Sequence, residues 1–354
     1  MLLLNMRIFG NFMSYQWLVL SLVCVFNTEL YADAADISNL ESKQNTRFWN
    51  KNLRSAIDIS TRRNEDLKSS HWSSQHVLGF DIHKVFTGPH GDIGTLVLQP
   101  YFVRINNVEM PPFYFDDGDD WELNWRIANF NYTQLANRKL NIRIGHFEIP
   151  FGLEQNIPTN GTLREYTYYD RGIKEDWGVS LNGILPNMEY ELAVTRGSGN
   201  YYKDRDNPYV LSGRVGSPVH ENIIYGISYF YGDVLGEDGT TKRKRLAIDM
   251  ATYVNSFEFL FELSGGEDED DEVFHSLGEI SWRNLNESLH IYTQLISDGR
   301  KINSSWQDSV TTRLGFQWIL NPQVYISAAW HKDMDVFENE QKTSEAIIQL
   351  RVRI

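Results

Sequence analysis

Cysteine is almost absent from this chain of 354 residues: the only one is Cys24. It lies in an N-terminal segment, WLVLSLVCVF at 17–26, and that is the most apolar run in the sequence. Such a run is about half the length a helix needs to cross a bilayer. It is followed by Ala32-Asp33-Ala34, an A-x-A pattern that predicts a signal peptide over 1–34, cleaved before Ala35. A lipoprotein would need a small residue before the cysteine, and Val23 is not one. The mature chain is then expected to lack cysteine entirely, so export to an oxidising compartment would not stabilise it by disulfides.

Positive charge is also in short supply. Lys and Arg total 33 against 47 Asp and Glu, a formal net charge of −14. That balance argues against nucleic acid, whose phosphates demand a basic face. Catalytic patterns are missing as well: there is no G-x-S-x-G, H-E-x-x-H, P-loop or C-x-x-C. No catalytic role, cofactor or metal is expected. The weaker alternatives are a loop-gated specific channel or receptor barrel, a barrel hydrolase with its groups at the rim, and a secreted soluble β protein.

What the sequence has is aromatic residues (18 Tyr, 19 Phe and 10 Trp) and a two-residue alternation. At 121–127 the apolar set is Trp121, Leu123, Trp125 and Ile127, with Glu122, Asn124 and Arg126 between them. At 139–144 it is Leu140, Ile142 and Ile144 against Lys139, Asn141 and Arg143. A period of two sends each set to its own face of a sheet. Similar segments begin near 53, 76, 95, 121, 139, 176, 188, 209, 222, 244, 257, 272, 289, 309, 323 and 345. The segment near Thr95 has ambiguous facing.

Segments of about ten alternating residues in an even count predict an all-β, transmembrane antiparallel β-barrel of about 16 strands. The connections alternate in length. Short ones fall at 135–138, 186–187, 217–221, 284–287 and 321–322, and long ones at 62–75, 107–120, 152–175, 199–208, 233–242 and 332–343. Outer-membrane barrels sort their connections this way, with short turns in the periplasm and long loops outside. On that topology Trp121, Trp177, Tyr231 and Trp330 sit at outer strand ends and Trp282 and Trp318 near inner ends, as interfacial girdles require. The expected organisation is a leader at 1–34, a short periplasmic segment at 35–50 and a barrel at 51–354.

The stretch IRIGHFEIPFGLEQNIPTNGT at 142–162 carries Gly145, Phe147, Pro150, Phe151 and Gly152 in a Gly-x-Phe-x-x-Pro-Phe-Gly arrangement. It resembles the porin O/P family of Gram-negative outer membranes, which includes phosphate-selective members. The resemblance implies a sixteen-stranded barrel, usually a homotrimer among lipid and lipopolysaccharide. Its third external loop, 152–175 here, would fold inward and narrow a water-filled channel for small hydrophilic solutes or ions. That loop carries Arg164, Arg171 and Lys174 but also Glu154, Glu165, Asp170 and Glu175, so phosphate selectivity does not follow from its charge. The chain also ends Leu350-x-Val352-x-Ile354, where barrels commonly end in an aromatic residue.

If the apolar set faces lipid, the alternate set lines the lumen. Its basic members are Arg54, Arg126, Lys139, Arg143, Arg313, Arg351 and Arg353, and its acidic members are Asp249, Glu258, Glu262 and Glu279. The first group gathers near the strands where the barrel would close and the second on strands ten to twelve. Two readings follow: ordinary solvated charges in a wide channel, or a transverse field between a basic and an acidic wall. Two acidic runs, at 116–120 and 267–272, fall in or beside external connections and read as solvated surface.

Overall fold

The structure, a computed structural model, describes residues 52–354 apart from 90, 109–119, 137–138, 156, 158–159, 166–167, 202–204, 303 and 339. The expected leader, the segment at 35–50 and residues 116–119 lie outside the described residues.

Sixteen strands form one closed antiparallel sheet. They are β1 Leu53–Asp66, β2 Trp72–Gly88, β3 Gly91–Asn106, β4 Glu122–Leu135, β5 Leu140–Glu148, β6 Glu175–Leu185, β7 Met188–Thr195 and β8 Tyr209–Gly216. The second half comprises β9 Ile223–Gly236, β10 Gly239–Val254, β11 Phe257–Asp268, β12 Asp271–Arg283, β13 Leu289–Ile302, β14 Ser305–Asn321, β15 Val324–Asp335 and β16 Ser344–Arg353. Each strand pairs with its sequence neighbours, and β16 closes on β1 from Asp58↔Arg353 to Asp66↔Glu345. Closure leaves no unpaired edge, the condition for strands to survive in lipid.

The polarity is inverted relative to a water-soluble fold. Outward positions are apolar and exposed, such as Ile227 at 60% and Leu246 at 61%. Inward positions one residue away are polar and buried: Ser228, Arg245, Asp249 and Glu262. Trp121 and Trp318 are exposed near strand ends, whereas Trp330, expected at an outer end, is exposed in the middle of β15 because that strand runs on to Asp335.

Two sequence expectations need correction. Two connections expected to be long are short. The one at 62–75 shrinks to 67–71, with Arg62↔Gln75 paired. The one at 233–242 is a tight turn, because β9 runs to Gly236 and β10 starts at Gly239, with Lys242↔Asp233 already in register. The acidic run at 267–272 stands, as expected, at a connection on the end that carries the long loops, as a hairpin tip with Glu267 opposite Glu272. Alternation reports only where one face meets an apolar medium, whereas ladder hydrogen bonds continue past it. Strands β2, β3, β10 and β14 therefore begin several residues before their pattern does. The long loops 107–121, 149–174, 196–208 and 336–343 do share one end of the barrel.

The second correction concerns β3 and β4. Gln99 pairs with Ile127 but Pro100 pairs with Trp125, leaving Arg126 as an extra residue. A bulge reverses the facing of everything beyond it. The outward apolar set of β4 therefore ends at Trp125, and Asn131 joins Asn182 and Asn141 on the inner face through amide hydrogen bonds. The ambiguous facing of β3 has another cause: its buried side carries the apolar Tyr101, Val103 and Ile105, while Phe102 is exposed on the other.

Candidate functional site

The long loop 149–174 leaves the wall after β5, and its neck is closed by the Ile149 N–H donating to the Lys174 carbonyl at 2.9 Å. The loop then turns into the lumen, where Phe147, Ile149, Phe151 and Leu153 are all essentially buried. The Phe151 ring meets Phe230 edge-on at 6.3 Å, and the Arg171 guanidinium lies over its other side at 4.6 Å. Gly152 permits the turn. Its φ is 61°, and a Cβ there would fall 2.2 Å from the Glu262 carboxylate. That carboxylate accepts the Leu153 N–H at 2.7 Å, and Ser228 Oγ accepts the Gly152 N–H at 2.9 Å.

One side of the loop is apolar, and so is the wall it meets. Ile149 and Phe151 pack with Val210, Phe230, Val234 and Ala247. Leu153 and Ile157 pack with Ile224, Ala251, Leu260, Leu277 and Ile296. Leu163 packs with Ala329 and Ile347. The lumen on the β8–β13 side is thus a dry core rather than a water column, held by the hydrophobic effect.

Ion pairs complete the anchorage. Arg164 forks onto Glu279, with Nε–Oε2 at 3.0 Å, and reaches Glu258 at 3.3 Å. Glu165 pairs with Arg313, whose Nη1 also donates to the Leu163 carbonyl at 2.9 Å. Asp170, on a helical turn Tyr168–Arg171, accepts from Arg245 at 2.6 Å and from Ser264. Burial alone would raise the Asp170 carboxyl, but Arg245, His275 and the Ser264 hydroxyl outweigh it and hold it below its ordinary value. Arg171 and Glu154 form a buried pair at 2.7 Å inside the loop, and burial pushes the Glu154 carboxyl up. At the neck Lys174 faces Glu175 at 3.5 Å.

The tip crosses to the closing seam. Arg351 pairs with Asp58 and donates to the Asn160 carbonyl at 2.8 Å. The Asn160 amide donates to the Tyr101 hydroxyl at 2.8 Å, whose one proton is shared between Asp58 and Asp81, each 3.1 Å away. Gln349 donates to the Gly161 carbonyl at 2.9 Å. Gly161, at φ 74°, lets the Arg351 guanidinium lie where a Cβ would be.

A cavity of about 410 Å³ remains on the β1–β4 side. Arg62, Arg126, Lys174 and Arg351 line it, with Asp58 and Glu175 as its carboxylates. Arg126 is braced by Glu148 at 3.1 Å and Gln99 at 2.6 Å.

The other residues singled out from sequence divide between the two sides. Asp249, Glu258, Glu262 and Glu279 lie on the inner face but meet arginines and the loop instead of water, Asp249 through Arg214 at 2.5 Å. Arg143 pairs with Glu191 at 3.0 Å and Arg353 with Asp81 at 2.5 Å. Arg54 and Lys139 are exposed at the end opposite the long loops. An acidic wall facing open water is therefore not what the lumen contains.

The residues that sequence reasoning missed are the partners: Asp58, Asp81, Glu191, Arg214, Arg245, Tyr101 and Asn160. A signal existed for the dry side. Leu260 and Leu277 interrupt an otherwise polar inner face, between Glu258 and Glu262 and between His275 and Glu279.

No protein-family model and no characterised protein sequence matches the chain. Solved structures do. An anion-selective porin from Comamonas acidovorans superimposes with a TM-score of 0.60 at 9% identity, covering 85% of this chain and 99% of that one. OprB of Pseudomonas putida gives 0.63 at 6% identity over 86% and 95%. OmpF of Salmonella typhi gives 0.63 at 8% identity over 85% and 97%. At such identities the likeness establishes the fold, a sixteen-stranded barrel of the kind porins adopt.

Proposed function

We propose that the chain is an outer-membrane porin of a Gram-negative bacterium, exported behind a cleaved leader at 1–34 and related to the porin O/P group. It passes small hydrophilic solutes or ions by diffusion, without catalysis or cofactor, as a homotrimer among lipid and lipopolysaccharide. The observation that carries this reading is the inverted barrel: apolar outside, polar inside, with a cavity of about 410 Å³ beside the inserted loop. Arg62, Arg126, Lys174 and Arg351 on its lining favour anions, phosphate among them. The test is single-channel recording in planar bilayers. Stepwise conductance with anion-selective reversal potentials, blocked by phosphate, supports the reading; purified protein that inserts without conductance steps refutes it.

A second reading, a loop-gated channel specific for one substrate, is favoured by the tip. Asn160 and Gly161 are tied to Arg351, Tyr101 and Gln349 on the opposite wall, which narrows any continuous path. Small conductance that rises when those ties are removed would favour it over an open pore.

A further inference from the structure

Beneath the return limb of the loop, three consecutive strands bring two carboxylates and an imidazole together. Glu258 of β11, Glu279 of β12 and His290 of β13 each offer a ligand atom, all within 4.8 Å of one another. Their relative exposures are 4%, 3% and 7%.

His290 adds an imidazole to the two carboxylates, and it is more than nine-tenths buried. Its Nε2 is buried and meets no hydrogen-bond partner among the described residues. His146 and His275 each leave an Nε2 unpartnered too, but among the described residues only His290 stands with two carboxylates whose ligand atoms all lie within 4.8 Å. The carboxylates are already oriented by neutral donors, as metal-ligating carboxylates usually are. Ser281 Oγ donates to Glu258 at 3.0 Å, and Gln294 Nε2 donates to Glu279 at 2.9 Å. Between them sits the Arg164 guanidinium, and Arg283 approaches Glu258 from the rim at 3.5 Å.

We infer that Glu258, Glu279 and His290 form a binding site for a borderline divalent cation of the zinc type, taken up in exchange for the Arg164 guanidinium. One imidazole with carboxylates suits Zn²⁺, Co²⁺ or Ni²⁺ better than Mg²⁺ or Ca²⁺, which prefer all-oxygen shells. The two glutamates face Arg164 and the half-exposed Arg283, so a dication that replaces Arg164 also releases Arg283 to solvent. Exchange also reaches the loop. Gln294 bonds both Glu279 and the Glu165 backbone, so displacing Arg164 loosens the limb around 163–165. The effect on conductance rests on the pore reading, but the binding itself does not.

The test is titration of the untagged full chain in detergent, stripped with chelator, with Co²⁺ followed by its visible absorption. Saturable binding is expected in the wild type and weakens about tenfold or more in His290→Gln, as loss of a ligand implies. Arg164→Gln removes the competitor and tightens it, and excess Mg²⁺ does not displace the ion. Absence of saturable binding in the wild type, or equal affinity in His290→Gln, overturns the site, and neither result depends on whether Arg164→Gln folds. In bilayers, micromolar Zn²⁺ should change the conductance of the wild type. Unchanged conductance with intact Co²⁺ binding overturns the coupling to the loop, whereas Co²⁺ binding by a protein that never conducts overturns the porin reading instead.

Discussion

The two halves of the lumen are built from the same alternating strands and differ in what fills them. On the β8–β13 side, inward aliphatic residues interrupt the polar set, and the loop settles there as a dry layer with its charges paired to the wall. On the β1–β4 side the inward set is polar throughout the cavity lining apart from Val77, Tyr101 and Val103, and space remains. The comparison shows that an inward charge does not by itself make a water-lined pore. Glu262, Asp249 and Glu279 are less accessible than most of the lipid-facing leucines.

The sharpest way to break that contrast is to wet the dry half. Leu153→Asp places a carboxylate among Ile224, Leu260, Leu277 and Ile296, at a cost of several kcal/mol. The loop should leave the wall and single-channel conductance should rise about twofold or more, because the constriction goes with it. The barrel should keep its resistance to unfolding in unheated gels, since the strand ladder is untouched.

Next in size is the seam. Arg351→Ala strands Asp58 without its cation, and breaking a buried pair costs about 3–5 kcal/mol. The double variant Asp58→Asn with Arg351→Gln should recover much of this in a thermal double-mutant cycle. Strict additivity would show that the pair does not act as a unit.

A smaller effect is expected from acid. The Asp170 carboxyl is held below its ordinary value in the fold, so its contribution is complete above the unfolded carboxylate range, about 3.9, and disappears as pH falls through the depressed value. The segment around Tyr168–Arg171 should gain protease sensitivity in two stages as pH falls, first as the raised Glu154 carboxyl protonates and releases Arg171, then as the depressed Asp170 carboxyl does. Asp170→Asn should show the second stage at neutral pH. An equal response of wild type and variant at neutral pH would remove Asp170 from the anchorage.

The smallest change is confined to the open half. Lys174→Gln, beside the cavity and facing Glu175, should alter stability by about 1 kcal/mol or less. It should nevertheless move the reversal potential in a salt gradient toward cations. An unmoved potential would mean that current bypasses this cavity.

Much of the wall was legible. Alternation at 139–144 and 121–125 reports a face held against an apolar medium, and sixteen such segments appeared near the sixteen observed strands. Strand ends were not, because β9 and β10 stay paired up to Gly236 and Gly239 with no apolar face to mark them. The motif from Gly145 to Gly152 marked where the chain leaves the wall. Neither its burial against Phe230 nor the pairing of Arg164 with Glu279 could be read, since 115 residues separate the partners of that pair.

The sequence alone determined the period, the count and the identity of the long third connection, because these follow from local chemistry repeated along the chain. Only the tertiary structure decided which half of the lumen is filled and which charges meet. Asp58 meets Arg351 across 293 residues because the barrel closes there, and closure is a property of the whole sheet. No single strand encodes it.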